Sequence, residues 1–448
     1  MLFDPATHKI YHIERRPSEG GRAVIVDTVA NKDVFGPEWN AATKVHEYGG
    51  GAAIVRDGTI YFSHSPDGRV YSFKDGSEPK AVSPGEHLSS PLSSHTACRA
   101  IRRCAAEEPF RYADFDLHPI HGHLLAAVLE DHTNDDPTTV VNTLVVINTK
   151  TQSLTTIASG ADFYAAPRFS PDGARIAFQQ WNHPDMSWQR STIHIFTFVT
   201  DGNQITYSDE KELGWAQREV SVVHPQWVDP DILIFLTDES GFLNPWIYSV
   251  SSKSADVLFA TPVSQDFALP AFTLAASPYT VLDAVKKTIL FSALKNGRSV
   301  LYLFEWKTKS LLPIDNPFVS ISAIRAVDDK KLVFQARSTS TPSAIIRLTI
   351  SDPSALHSGV TYETLKSSVE SLPFPDSIIS QPESLTLGTE SEPVYATLYP
   401  PTNFAYDGSP DPTEKPPCIV NAHGGPTGME IQGLDWTRQY FTSRGWAW

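Results

Sequence analysis

Cysteine, methionine, clustered basic charge and long apolar runs are what this 448-residue chain has least of. Its three cysteines, Cys98, Cys104 and Cys418, cannot all pair within one chain, and none has CxxC or Cys/His ligand spacing. That pattern favours free thiols in a reducing compartment, and a cytoplasmic location is the default expectation. No Lys/Arg block occurs: the densest basic pieces are the pairs Arg15-Arg16 and Arg102-Arg103, in a chain of formal charge -15. A nucleic-acid partner requires a basic face to neutralise phosphates, so none is expected. No apolar run reaches the ~18–20 residues of a membrane span. The opening Met1-Leu2-Phe3-Asp4-Pro5 has no charged start followed by an apolar stretch. Neither membrane association nor a signal peptide is therefore expected.

What the chain does have is turn chemistry along its whole length. Its 34 prolines and 25 glycines are spread rather than concentrated, which suits many short strands and argues against long helices. The length exceeds what one core usually organises, so a very large domain or two domains are expected. Short apolar or alternating segments recur with turns beside them. One unit runs from Thr59 to Ser63, through Pro66-Asp67-Gly68, to Val70–Phe73. A second runs from Pro167 through Pro171-Asp172-Gly173 and Ile176–Phe178 to Thr192–Phe198. A third runs from Pro225 and Trp227 through Ile232–Phe235 to Trp246–Val250, and weaker copies cover 115–147, 289–304 and 332–350. Proline presets the turn backbone and glycine accepts positive φ. A spacing of about 55 residues is close to the roughly 40–50 of four-stranded propeller blades. With the strands at Ile10–Ile13 and Ala23–Asp27, the chain has room for about seven blades. The expected fold is mostly β, with a β-propeller over residues 1–370.

Beyond residue 370 the pattern changes. Pro373, Pro375 and Pro382 punctuate a polar linker, followed by strands at Ser384–Leu387 and Val394–Tyr399 and a Pro/Asp/Gly-rich loop. Cys418–Ala422 reads as a short strand running into His423-Gly424-Gly425-Pro426-Thr427. Residues 434–444 have helical character with Trp436, Tyr440 and Phe441 on one face, closed by Gly445 before a nascent strand at Trp446–Trp448.

His423-Gly424-Gly425-Pro426 after a strand resembles the early strand-to-loop turn of the acylaminoacyl-peptidase and dipeptidyl-aminopeptidase branch of the prolyl oligopeptidase family. Gln439–Gly445 is similar to that family's following helix. Val45–Gly51, Arg168–Gly173, Trp181–Asp185 and Glu130-Asp131-His132 look like its propeller. The resemblance implies a propeller beside an α/β-hydrolase domain with a Ser-Asp-His triad, cleaving short peptides. Residues 371–448 would be the first part of that hydrolase domain. The nucleophile of this fold sits in G-x-S-x-G, and no such motif occurs in the 448 residues. After His423 only Asp435 and no histidine is present, so no catalytic triad is expected in this chain and no hydrolysis by it alone.

By the same resemblance the Gly425 N–H is the candidate oxyanion-hole donor, with His423 and Gly424 shaping the turn. Glu130, Asp131, His132, Asp135 and Asp136 read first as a solvated loop. As a functional set, Glu130 and Asp131 are candidate anchors for a substrate's amino terminus, since carboxylates bind ammonium well. Glu47 and Tyr48 are weaker candidates for a substrate role, and the pair Glu107-Glu108 a weaker candidate for holding an amino terminus. His118, His121 and His123 are interrupted by Pro119 and Gly122 and read as a blade turn rather than a metal set. No metal and no cofactor are expected. Trp181, Trp188, Trp227 and Trp246 read as blade-packing aromatics. The competing reading is a non-catalytic propeller used as a scaffold for peptides or proteins.

Overall fold

A computed structural model describes residues 1–85, 109–201, 204–214, 219–352, 356–406, 408–425 and 427–448. Cys98, Cys104, Arg102-Arg103 and Glu107-Glu108 lie outside the described residues. Seven four-stranded antiparallel sheets follow one another along the chain, over residues 2–33, 53–81, 110–158, 163–213, 222–257, 279–314 and 320–367. They are the blades of a seven-bladed β-propeller. Each blade is a meander of consecutive strands, with its first strand against the first strands of its neighbours around the axis. The ring closes where Leu2–Asp4 meets Ser320–Ala326, and at the rim Lys366 Nζ bonds Asn31 Oδ1 at 2.6 Å.

The repeat has a structural cause. The fourth residue of the second strand is phenylalanine in five blades: Phe62, Phe178, Phe235, Phe291 and Phe334, each with no exposed surface. Burying one such ring contributes roughly 2–3 kcal/mol. The third blade has the buried Ala127 at this place and the first blade has His12. The two Pro-Asp-Gly turns, read as equivalent in sequence, are not. Pro171-Asp172-Gly173 joins the first and second strands of its blade, whereas Pro66-Asp67-Gly68 joins the second and third. Both glycines accept positive φ, at 65° and 71°. His118 and His121 do form the turn equivalent to Pro171–Gly173, where His118 Nδ1 accepts the Ile120 and His121 N–H groups.

A second repeated device shapes the axis. The innermost strands of the third, fourth, fifth and seventh blades carry a bulge with a residue at positive φ: Asp114, Ala166, His224 and Ala323. A bulge breaks the two-residue alternation and re-aims the side chains after it. Two residues beyond each lie Asp116, Arg168, Gln226 and Arg325, and all four border the central channel.

In a meander, the connections entering each first strand and those between second and third strands emerge on one face. Residues 371–448 pack on that face: the Leu434 N–H donates to Ser338 O at 2.9 Å, and Met429 and Ile431 border the channel mouth. This segment holds a hairpin, Glu383–Gly388 with Pro393–Leu398, and the helix Trp436–Thr442. Cys418 bridges Ala447 in parallel, with the helix in the connection, while Trp448 exchanges hydrogen bonds with Tyr399. Ala447 and Trp448 thus lie between the end of the hairpin and Cys418. Asp435 caps the helix by accepting from the Arg438 N–H at 2.9 Å. The buried face of this helix is polar: Arg438 donates to Tyr399 Oη, and Gln439 bonds both polar atoms of the Ser380 backbone, while Trp436 and Tyr440 are exposed. Among the described residues no helix is long and apolar enough to cross a membrane.

Candidate functional site

On the face carrying the C-terminal segment, three connections converge: 43–51, entering the second blade, 181–192 in the fourth, and 258–278, entering the sixth. Together they enclose a cleft of about 220 Å³ bordered by His46, Tyr48, Phe163, Trp181, Trp188 and Phe272. Phe163 and Trp181 stack, with centroids 5.2 Å apart and planes at 15°. His46 stands edge-on to both rings, at 89° and 80°. Trp188 and Tyr48 flank Phe272 from 4.4 and 5.7 Å. Ring faces and edges so arranged receive a planar or apolar group through dispersion and quadrupole contacts. Asp114, Arg168 and His224 border the inner side of the cleft, the combination of apolar walls and a few polar groups usual in ligand sites.

The glycine run in 43–51 is what lets two of these connections touch. Gly50 has φ +96°, pairs in parallel with Leu274, and a Cβ there would stand 2.5 Å from Leu274 O. Gly50→Ala is expected to cost about 1–3 kcal/mol and to loosen 258–278. Hydrogen exchange at Leu274, whose N–H donates to Gly49 O at 2.9 Å, should quicken at least severalfold. Unchanged exchange would show that the close approach does not hold the loop.

Glu130 is not part of a solvated loop. It is 4% exposed, with Oε1 accepting the His46 N–H at 3.0 Å and Oε2 facing His132 Nε2 at 2.8 Å and Arg111 Nη1 at 3.4 Å. Arg111 also reaches Glu47 at 2.6 Å, and His132 Nδ1 lies 2.8 Å from Asp135. Asp131, the next residue, instead caps its own turn through the Thr133 N–H, and Asp136 accepts from Thr138. Glu47, Glu130 and His132 place ligand-type atoms within 4.8 Å of one another, with the Arg111 guanidinium already among them. The carboxylate of Glu130 therefore fixes the backbone that presents His46 to the cleft.

Burial holds the imidazoles of His46, His118 and His224 at pKa about 4. Free imidazoles titrate near ~6.5, so between that pH and 4 the unfolded chain binds more protons than the folded one. Stability must then fall as pH drops through this window. The Asp116 carboxyl, which burial pushes up, acts in the opposite direction. The urea midpoint is expected to decline steadily from neutral pH to pH 4, and a flat profile would contradict neutral buried imidazoles.

Comparison of the sequence with protein families and with curated proteins gives no match. Comparison of the structure does. A Mycobacterium tuberculosis puromycin-hydrolyzing peptidase superposes with TM-score 0.80 at 26% identity, over 98% of this chain and 64% of that one. A puromycin hydrolase gives TM-score 0.79 at 24% identity with the same coverage, 98% and 64%. The likeness is that of a prolyl oligopeptidase-family peptidase β-propeller. It spans 64% of the length of those two chains, just under two thirds.

His423, Gly424 and Gly425 are exposed, beyond the Cys418–Ala447 bridge. Gly425 has φ +148°, and a Cβ there would lie 2.5 Å from Thr427 N, so the turn needs glycine. His423 Nδ1 lies 3.0 Å from Gly424 O. The sequence expectation for Trp181, Trp188, Trp227 and Trp246 is blade packing. That holds for Trp227, which is buried and donates from Nε1 to Arg168 O at 3.0 Å. It does not hold for Trp181 and Trp188, which border the cleft with Phe163 and Phe272. The one available signal was two tryptophans in a single strand connection, too long to be a turn.

Proposed function

We propose that this chain is the substrate-reading part of a serine-type peptidase acting on short peptides, releasing aminoacyl or acylaminoacyl groups. The observation that carries this reading is the aromatic cleft on the propeller face where residues 371–448 pack. The cleft receives an aromatic or apolar side chain beside the scissile bond, and similarity to puromycin-hydrolyzing enzymes fits, since puromycin is an aromatic aminoacyl amide. Residues 371–448 form the first part of an α/β-hydrolase domain: a hairpin, then a parallel crossover from Cys418 through a helix to Ala447. The exposed Trp436 and Tyr440 faces suit further packing. That crossover favours this reading over a propeller used only as a scaffold.

In the mechanism, the propeller cleft orients the substrate. The Gly425 N–H, in the turn shaped by His423 and Gly424, stabilises the oxyanion of the tetrahedral intermediate. Glu130, engaged by His46, Arg111 and His132, serves an amine only by exchanging one of these partners, and Asp131 only by leaving its turn. Acyl transfer needs an activated nucleophile, and the 448 residues hold no G-x-S-x-G. The chain alone is expected to bind puromycin without turnover and to remain unlabelled by a fluorophosphonate. Labelling or product release by the purified chain would refute this assignment, and absence of binding would refute the cleft's role.

A further inference from the structure

We propose that the central channel holds a carboxylate-binding site centred on Arg325, which takes the free carboxyl end of a short peptide whose apolar side chain lies in the aromatic cleft. The site follows from the repeated bulge. Asp116, Arg168, Gln226 and Arg325 occupy the same place on four innermost strands and border one cavity of about 250 Å³. Their charges do not balance evenly. Arg168 is committed to Asp114, with Nη1 and Nη2 each 3.1 Å from Oδ1, and the other oxygen of Asp114 accepts the Ala166 N–H at 2.7 Å. Asp116 accepts the Phe169 N–H at 2.7 Å, and burial raises its pKa, which disfavours the anion. His224 is held neutral by burial and by Arg168, and the Met1 amino group, which burial and Arg325 push down to about 5, supplies no counter-charge.

Arg325 has no such partner. Its one recorded bond runs from Nη1 to the carbonyl of the preceding Ile324, and among the described residues it pairs with no carboxylate. A guanidinium presents five donors in a planar fork matched to a carboxylate. Leaving one unpaired in a recessed wall is costly, in a chain otherwise rich in acidic groups at net charge -15. Burial and the facing Arg168 together lower its pKa to about 10, so it stays charged at neutral pH.

The cavity adjoins the cleft: Asp114, Ala166, Arg168, His224, Ala275 and Ala276 border both. A ligand seated among the rings therefore lies beside the cavity that Arg325 borders. The identity of the occupant rests on the peptide-binding reading above; the geometry of the guanidinium does not.

The test uses the 448-residue chain and N-acetyl-Phe-Gly-Gly as free acid and as C-terminal amide, titrated calorimetrically. The acid is expected to bind about tenfold tighter or better than the amide. Arg325→Gln should erase that preference, leave amide affinity unchanged, and leave the melting temperature unchanged or higher. Equal binding of acid and amide by the unsubstituted chain would overturn the site while leaving the cleft intact, and needs no variant. Persistence of the preference in Arg325→Gln would overturn it as well. Arg325-dependent binding of N-acetylglycine with no gain from the phenylalanine would support the carboxylate site and count against the peptide reading alone.

Discussion

Asp114→Ala is expected to lower the unfolding free energy by about 3–5 kcal/mol, because it strips a recessed guanidinium of its counter-charge. Asp114 is 1% exposed and does three things at once. Oδ1 accepts both terminal nitrogens of Arg168, Oδ2 accepts the Ala166 N–H, and its own φ of 53° sets the bulge. Aspartate and asparagine tolerate that backbone region better than alanine does. Asp114→Asn retains shape and backbone tolerance but not charge, so it should cost less, about 1–3 kcal/mol. Replacing Asp114 and Arg168 together by apolar residues should recover much of the Asp114→Ala loss, since no unpaired charge is then left. Urea unfolding of the four proteins measures all of this. A loss below about 1 kcal/mol for Asp114→Ala would mean that water solvates Arg168 well enough to replace the pair.

Trp181→Ala is expected to weaken binding of puromycin about 30-fold, close to 2 kcal/mol. Trp181 carries one face of the slot, stacked on Phe163 and edged by His46. It is partly exposed and closes no blade core, so the fold should survive its removal. Trp227→Ala supplies the contrast: Trp227 is 7% exposed within the core between the fourth and fifth blades. Its loss should cost about 3–5 kcal/mol of stability and leave ligand affinity nearly unchanged. Equal affinity losses in the two variants would show that the cleft responds to general loosening rather than to its rings.

Seen against the structure, the blades were legible because their cause is local. Pro-Asp-Gly turns, alternating strands and a phenylalanine at the fourth place of the second strand act within a few residues of one another. The hairpin and the helix were legible for the same reason, though the helix buries its polar side against Tyr399 and Ser380. Where strands are expected at Cys418–Ala422 and Trp446–Trp448, the chain forms only the single Cys418–Ala447 bridge and Val420 is exposed. The surroundings of Glu130, read in sequence first as a solvated loop, were not legible. Burial of that carboxylate depends on Arg111, His132 and the His46 backbone, supplied by another strand, a strand end and a separate connection.

Short-range chemistry was enough to set the number of strand units, the turns between them and the family likeness, and to show that these 448 residues hold no serine elbow. Which aromatics are core and which are cleft depends on long-range packing, because Trp181 and Trp227 differ not in local pattern but in what the ring of blades sets against them. So does the facing of Arg168 and Arg325 toward the axis. A bulge shifts the phase of an innermost strand, and past that point two-residue alternation no longer says which way a side chain points.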